Sequence, residues 1–285
     1  MERMILTGLA LASLGFSAPA LAQGTGAQGT GAQAAAPAWA LNVEPARCTL
    51  TRGLGPAGDN VMSLTTLAGS DSYRLTMVGP AIARREAGMN FPVTVAFTAA
   101  DARFPTTGTG SSLSGGRGAL IAYNLKAEFV TALGNATAIT MSVGHDNAGP
   151  YDVPKAHGAA AAFTKCVQDQ LVEWGADPAQ FAAGGATPVA LQDRAMWIGQ
   201  ALIPRLSMTG PGVIAFAFRF AVAADGSIDG CTPLDAAPRP DNTKTVCGAV
   251  MGKKMFKPAH DAGGHPVRGA AAFEMQMVSK RDASR

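Results

Sequence analysis

Charge is scarce in this chain. Charged residues are only 15% of its 285 positions and the formal net charge is +3. Lys and Arg are scattered, so the electrostatic footprint that nucleic acid demands is missing. Beyond the first residues, no stretch approaches the roughly 18 uninterrupted apolar positions of a membrane span, which excludes a second crossing. The spacing G-x-S-x-G is absent, and Ser114-Gly115 therefore reads as loop rather than as a nucleophile turn. Cysteine is limited to Cys48, Cys166, Cys231 and Cys247. None follows the expected processing site, so a lipidated N-terminus is not indicated.

What is abundant is Gly, Ala and Pro, a composition that favours long loops, a mildly charged surface and little helix. Met1 to Ala22 reads as a secretory signal: Arg3, an apolar stretch from Met4 to Leu14, then Ala20-Leu21-Ala22 before Gln23. Cleavage after Ala22 delivers the mature chain to the periplasm. The alternative is an uncleaved segment that anchors the protein in the inner membrane. Residues 23–38 form a low-complexity linker with repeated Gly-Thr-Gly-Ala-Gln. Gly24, Gly26 and Gly29 match the dinucleotide fingerprint, but a leader precedes them where a strand is required, so no cofactor is expected.

Two domains are expected, a β-rich one over 39–183 and a second over 190–285. In the first, period-two alternation or β-branched enrichment marks 48–51, 61–67, 73–78, 91–97, 120–123 and 136–143 as strands. The Gly, Ser and Thr stretch from Thr106 to Gly118 reads as a mobile loop. One amphipathic helix is expected over 159–174, with Phe163, Cys166, Val167, Leu171 and Trp174 on one face and Gly175 as its C-cap. The second domain offers an amphipathic segment through Met196-Trp197-Ile198 and Leu202-Ile203-Pro204, and a strand over 213–222. The turn Ala224-Asp225-Gly226-Ser227 follows, then a short helix after Cys247 and a closing strand over 269–278. An even cysteine count in an exported chain favours disulfides. Of three connectivities, a boundary near Gly184-Gly185 selects Cys48 with Cys166 and Cys231 with Cys247.

The C-terminal third, from Phe220-Ala221-Val222 and Asp225-Gly226-Ser227-Ile228 through Cys231 and Cys247 to Phe256-Lys257-Pro258-Ala259, Asp261 and Gly264-His265-Pro266-Val267, resembles the C-terminal domain of the TonB energy transducers. The family's Ser-Ser-Gly before Leu-Asp is missing, and Leu234-Asp235 alone matches its end. The resemblance implies an α+β fold with a short antiparallel sheet carrying helices on one face. It also implies a sheet edge that recruits an extended protein segment, such as part of an outer-membrane receptor or envelope protein, by β-augmentation. Carried over, the recruiting strand is the closing one, with Phe273, Glu274, Met275, Gln276 and Met277 as its partner-binding residues. The equally open alternative is that the strand packs Phe273, Met275 and Met277 on the core, and one face can be buried while the edge stays open. A transducer also needs a membrane anchor and a long rod; a linker of about 15 residues extends about 50 Å at most. A binding or structural protein, not an enzyme, is the first expectation, and an anchored energy transducer the second. The front half resembles uncharacterised exported alphaproteobacterial proteins through Trp39, Cys48-x-Leu50-x-Arg52, Cys166 and Trp174-Gly175-x-Asp177-Pro178.

Other polar groupings are weak. His260-Asp261 and His265 share one loop, but zinc sites recruit further ligands in an ordered frame. Ser142, His145 and Asp146 are too close in sequence for triad geometry and read as a turn. The sequon Asn135-Ala136-Thr137 carries no meaning in a bacterial context.

Overall fold

Apolar side chains at every second position make the first half of the chain strand-forming, and the computed structural model builds one large antiparallel sheet from it. The described residues are 38–197, 206, 212–235 and 238–279. The expected leader (1–22), most of the linker with Gly24, Gly26 and Gly29, and Leu202-Ile203-Pro204 lie outside them. The protein is α+β and, among the described residues, mostly strand with three α-helices.

The large sheet comprises β1 (Trp39–Glu44), β2 (Arg47–Leu54), β3 (Asn60–Leu67), β4 (Tyr73–Gly79), β5 (Asn90–Thr98), β6 (Ala102–Ser112), β7 (Gly118–Leu125), β8 (Ala138–Val143) and β9 (Asp146–Asp152). Their spatial order is β1-β2-β3-β4-β7-β6-β5-β8-β9. Two helices, α1 (Ala127–Gly134) and α2 (Ala156–Glu173), lie against each other and the sheet. Flat, the first and last of nine strands would stand about 38 Å apart. Yet the Trp39 indole N–H on β1 donates to the Pro154 carbonyl just past β9, at 2.8 Å. The sheet therefore curls around the helix pair. Phe129 of α1 packs on Phe97 and Phe104 of β5 and β6. Phe163 of α2 reaches Tyr73 at the start of β4. Inward positions such as Cys48, Leu50, Met62, Leu64, Leu75, Met77, Val95 and Ile139 are buried in this core. The opposite face carries Thr49, Thr65, Arg74, Thr76 and Tyr123.

Three sequence expectations are corrected. Residues 106–112 are not loop but the second half of β6, between β5 and β7. Its glycines serve close packing: a Cβ on Gly108 would lie 2.3 Å from the Ile121 carbonyl oxygen and 2.4 Å from Val93 Cγ2. The β-rich part holds two helices rather than one, since Phe129, Val130, Ala132 and Leu133 bury one side of α1. The helix placed after Cys247 instead precedes and includes it, as α3 (Pro240–Val250). Pro240 sits in its first turn, where the missing N–H removes no intrahelical bond. At the end of α2, Gly175 adopts φ +94°. Its N–H bonds the Val172 carbonyl and the Ala176 N–H bonds that of Leu171, which is a Schellman cap.

Beyond Phe181 the chain forms β10 (Val189–Ala190), β11 (Gly212–Val222), β12 (Ile228–Pro233), α3, β13 (Phe256–Lys257), β14 (Ala259–His260), β15 (Pro266–Val267) and β16 (Gly269–Ser279). Strands β12-β11-β16 make a three-stranded antiparallel sheet. A second core of Trp197, Phe218, Phe220, Ile228, Val246, Val250, Phe256 and Phe273 gathers there.

The two cores do not hang on a loose linker. Ala36–Arg285 belong to one compact unit. Small residues at the join, Ala68, Ala217, Ala270 and Ala272, are buried together with Leu67 and Leu171. Gly69, at φ +73°, brings the β3–β4 turn so close to β16 that a Cβ there would lie 2.8 Å from Ala271 Cα. The Ala272 N–H bonds the Gly69 carbonyl at 2.9 Å, and the Asp177 N–H bonds that of Arg268 at 2.9 Å. Arg219 lies over the Trp174 ring.

Candidate functional site

Where the curled sheet meets β16, the two parts enclose a polar cleft of about 520 Å³. Its floor is the outward face of the large sheet, carrying Thr65, Arg74, Thr107 and Tyr123, and one wall is β16 at Ala272 to Met275. Thr65 pairs with Arg74 across β3 and β4. On the next strand the register slips between Tyr73 and Leu75, so that Arg74 alone opposes both Tyr123 and Asn124. Asn124 takes φ +56°, a left-handed conformation that Asn tolerates better than most residues. Bulges of this kind re-aim side chains at functional edges. Here the bulge sets the Arg74 guanidinium over the Tyr123 ring, 5.6 Å from its centroid. The ring is held from its far end, where the Tyr123 hydroxyl and Thr109 Oγ1 are 2.8 Å apart.

The cleft's other ionic groups are engaged. Arg47 on β2 pairs with Glu274 at 2.8 Å. Arg194 donates to the carbonyls of Gly69 and Ala272 and lies 3.7 Å from Asp71, which also binds Lys126. Its guanidinium lies near the Trp197 and Phe256 rings. Burial pulls the Arg194 pKa down, although the Asp71 charge acts to raise it. Outside the cleft lining, burial pushes the Asp235 carboxyl above the usual carboxylate range; a backbone hydrogen bond from Ala217 opposes the shift and the Glu274 charge adds to it. Arg74 differs in lacking a charge partner, although its Nε, like that of Arg194, is buried with no hydrogen-bond partner. Among the described residues no carboxylate pairs with it.

The main chain of β16 matters as much as the side chains. The Ala272 N–H and carbonyl bond to Gly69 and Arg194, so both point away from β11. With a period of two, the main-chain groups of Gln276 and Val278 point the same way. Among the described residues no strand pairs with this side of β16.

The five candidate partner-binding residues are thereby separated. Phe273 is buried in the second core against Trp197, and Met275 packs partly on that core. Glu274 turns to Arg47. Gln276 and Met277 lie in the strand opposite Ala215 and Ile214, and their side chains lie outside the described set. Arg74, Tyr123 and Arg47 were not singled out by the sequence, which offers no local signal that they meet β16.

The cysteines form Cys48–Cys166 (Cα–Cα 6.2 Å), joining β2 to α2, and Cys231–Cys247 (5.7 Å), joining β12 to α3. These are the pairs that a division near residue 184 selects. No protein-family model, curated protein or solved structure matches the chain. Among the described residues no helix is long and apolar enough to cross a membrane, and no three His, Cys, Asp or Glu side chains are placed to hold one metal ion. Asp261 instead organises its own loop. Its Oδ1 accepts the backbone N–H groups of Gly263 and His265, and His265 Nδ1 lies 3.1 Å from Oδ2. These bonds hold its carboxyl below the usual carboxylate range. Asp146 pairs with Arg85, so its carboxylate is turned to that partner.

Proposed function

We propose that this is a non-enzymatic binding protein of the periplasm that captures an extended segment of an envelope protein by adding it as a strand to the outer side of β16. The observation that carries the reading is the direction of the main chain at Ala272. It sets an alternating row of donors and acceptors facing outward through Gln276 and Val278, beside a cleft roomy enough for a strand. Main-chain bonds of this kind supply affinity with little sequence demand, and the cleft floor supplies selectivity. The three-stranded sheet, its cysteine-linked helix and its closing edge strand support a TonB C-terminal-like layout. Two disulfides suit an oxidising compartment.

The test places a photo-crosslinking amino acid at Gln276 in the full chain and irradiates intact cells. Crosslinks to a single envelope protein, through an extended segment of it, are expected. Crosslinks confined to this chain itself would defeat the reading.

A further inference from the structure

Among the described residues Arg74 is a cation without a counter-ion, in a cleft whose other described arginines are committed. The side chain is half-buried and its Nε is enclosed without an acceptor, so the guanidinium loses part of its hydration, which a lone ring contact replaces only in part. Its five donors form a planar fork that matches a carboxylate. The three carboxylates that line the cleft do not pair with it: Glu274 is held by Arg47, Asp71 by Lys126 and Arg194, and Asp193 is itself engaged. The β7 bulge and the Thr109-anchored Tyr123 ring hold the guanidinium on the floor facing the β16 wall. Side chains of an added strand alternate between two faces, so every second one would reach this floor.

We propose that the cleft selects a partner segment carrying an Asp or Glu side chain, which Arg74 receives as its counter-ion while Thr65, Thr107 and Asn124 offer further hydrogen bonds to the segment. This inference rests on the edge-pairing function proposed above. The segment is an acidic one in extended conformation, paired through its backbone to β16.

The probes are three short blocked peptides of alternating Thr and Val that differ only at a central Glu, Gln or Lys. Binding to the full mature chain is measured by NMR titration at millimolar peptide and low salt. The wild type is expected to bind the Glu peptide about tenfold or more tightly than the Gln peptide, as charge-assisted hydrogen bonds require, and the Lys peptide most weakly. Arg74→Gln should erase the gap between Glu and Gln peptides while still binding the Gln peptide, which also certifies that the variant is folded. Arg74→Glu should shift preference to the Lys peptide. Equal binding of Glu and Gln peptides by the wild type, or a Glu preference that survives Arg74→Gln, overturns the acidic selection and leaves edge pairing standing. Failure of all three peptides to shift the β16 amides of the wild type overturns edge pairing, and the acidic selection with it.

Discussion

A proline scan of two adjacent residues separates the two sides of β16. Met275 pairs with Phe216, and its parity, opposite to that of Ala272, turns its N–H toward β11. Met275→Pro therefore deletes a ladder bond and strands the opposing carbonyl, which costs about 1–3 kcal/mol. It also removes a side chain packed on the second core, worth about 1–2 kcal/mol at partial burial. Together the loss is about 3 kcal/mol. Gln276→Pro deletes an N–H that points away from β11, so its cost is confined to fitting a fixed φ into extended backbone, about 1 kcal/mol or less. Urea unfolding gives both values from midpoint shifts at constant slope. Hydrogen exchange offers an independent reading: the 275 and 277 amides should be protected and those of 276 and 278 should exchange as open edge groups. The partner crosslinked at residue 276 should be lost from the folded Gln276→Pro protein. If Gln276→Pro destabilises as much as Met275→Pro, or if the 276 amide is protected in the isolated protein, that edge is already occupied and the reasoning fails.

Three further outcomes follow from the same geometry. Removing Cys48–Cys166, which closes a 118-residue separation, should cost about 5 kcal/mol, and removing Cys231–Cys247, which spans 16, about 3 kcal/mol, as compared by denaturant melts of the two double-Ala variants. Gly108→Ala should destabilise by about 1–3 kcal/mol or more through overpacking against Val93 and Ile121, with no contribution from backbone strain; a neutral melt would mean β5 and β7 separate easily. Asp235→Asn should raise the melting temperature at neutral pH. A carboxyl whose folded pKa is raised costs stability once ionised, so the gain should vanish as pH falls below the ordinary carboxylate range.

Where period-two alternation was clean, as in β3, β4 and β5, the strands were legible in the chain alone. So was α2, because its apolar stripe ends at a glycine that only a left-handed cap explains. Residues 106–112 failed for a physical reason. Gly108 and Gly110 look like turn residues, yet they are there because neighbouring strands leave no room for a Cβ, which is a tertiary demand. The helix α1 is too short for a strong periodic signal, although Phe129, Val130 and Leu133 carry it. The start of α3 was hidden because its buried residues, Asn242, Val246 and Val250, include a polar one. β9 lies at the sheet edge and reads as turn because it is built from Asp, Asn, Gly and Pro.

The site was legible by one wall only. The closing strand could be found from its alternation and its resemblance to a recruiting edge, but Arg74 and Tyr123 lie some 150 to 200 residues away in the chain, and no local pattern ties them to it. What joins them is the alanine and glycine seam, and that seam has a consequence for binding. Gly69 and Arg194 already occupy the outward main-chain groups of Ala272. A segment added to β16 therefore meets a stop on the Gly269 side and must pair toward Ser279. Slippage by two residues, the usual hazard of strand addition, is blocked in one direction. On the proposed edge pairing the curled sheet would do more than accompany the smaller one: it would bound the register of an incoming strand, and Arg74 would fix which of the segment's residues faces the floor. The C-terminal part alone would present a longer edge without that stop, and it would pair less selectively than the whole chain.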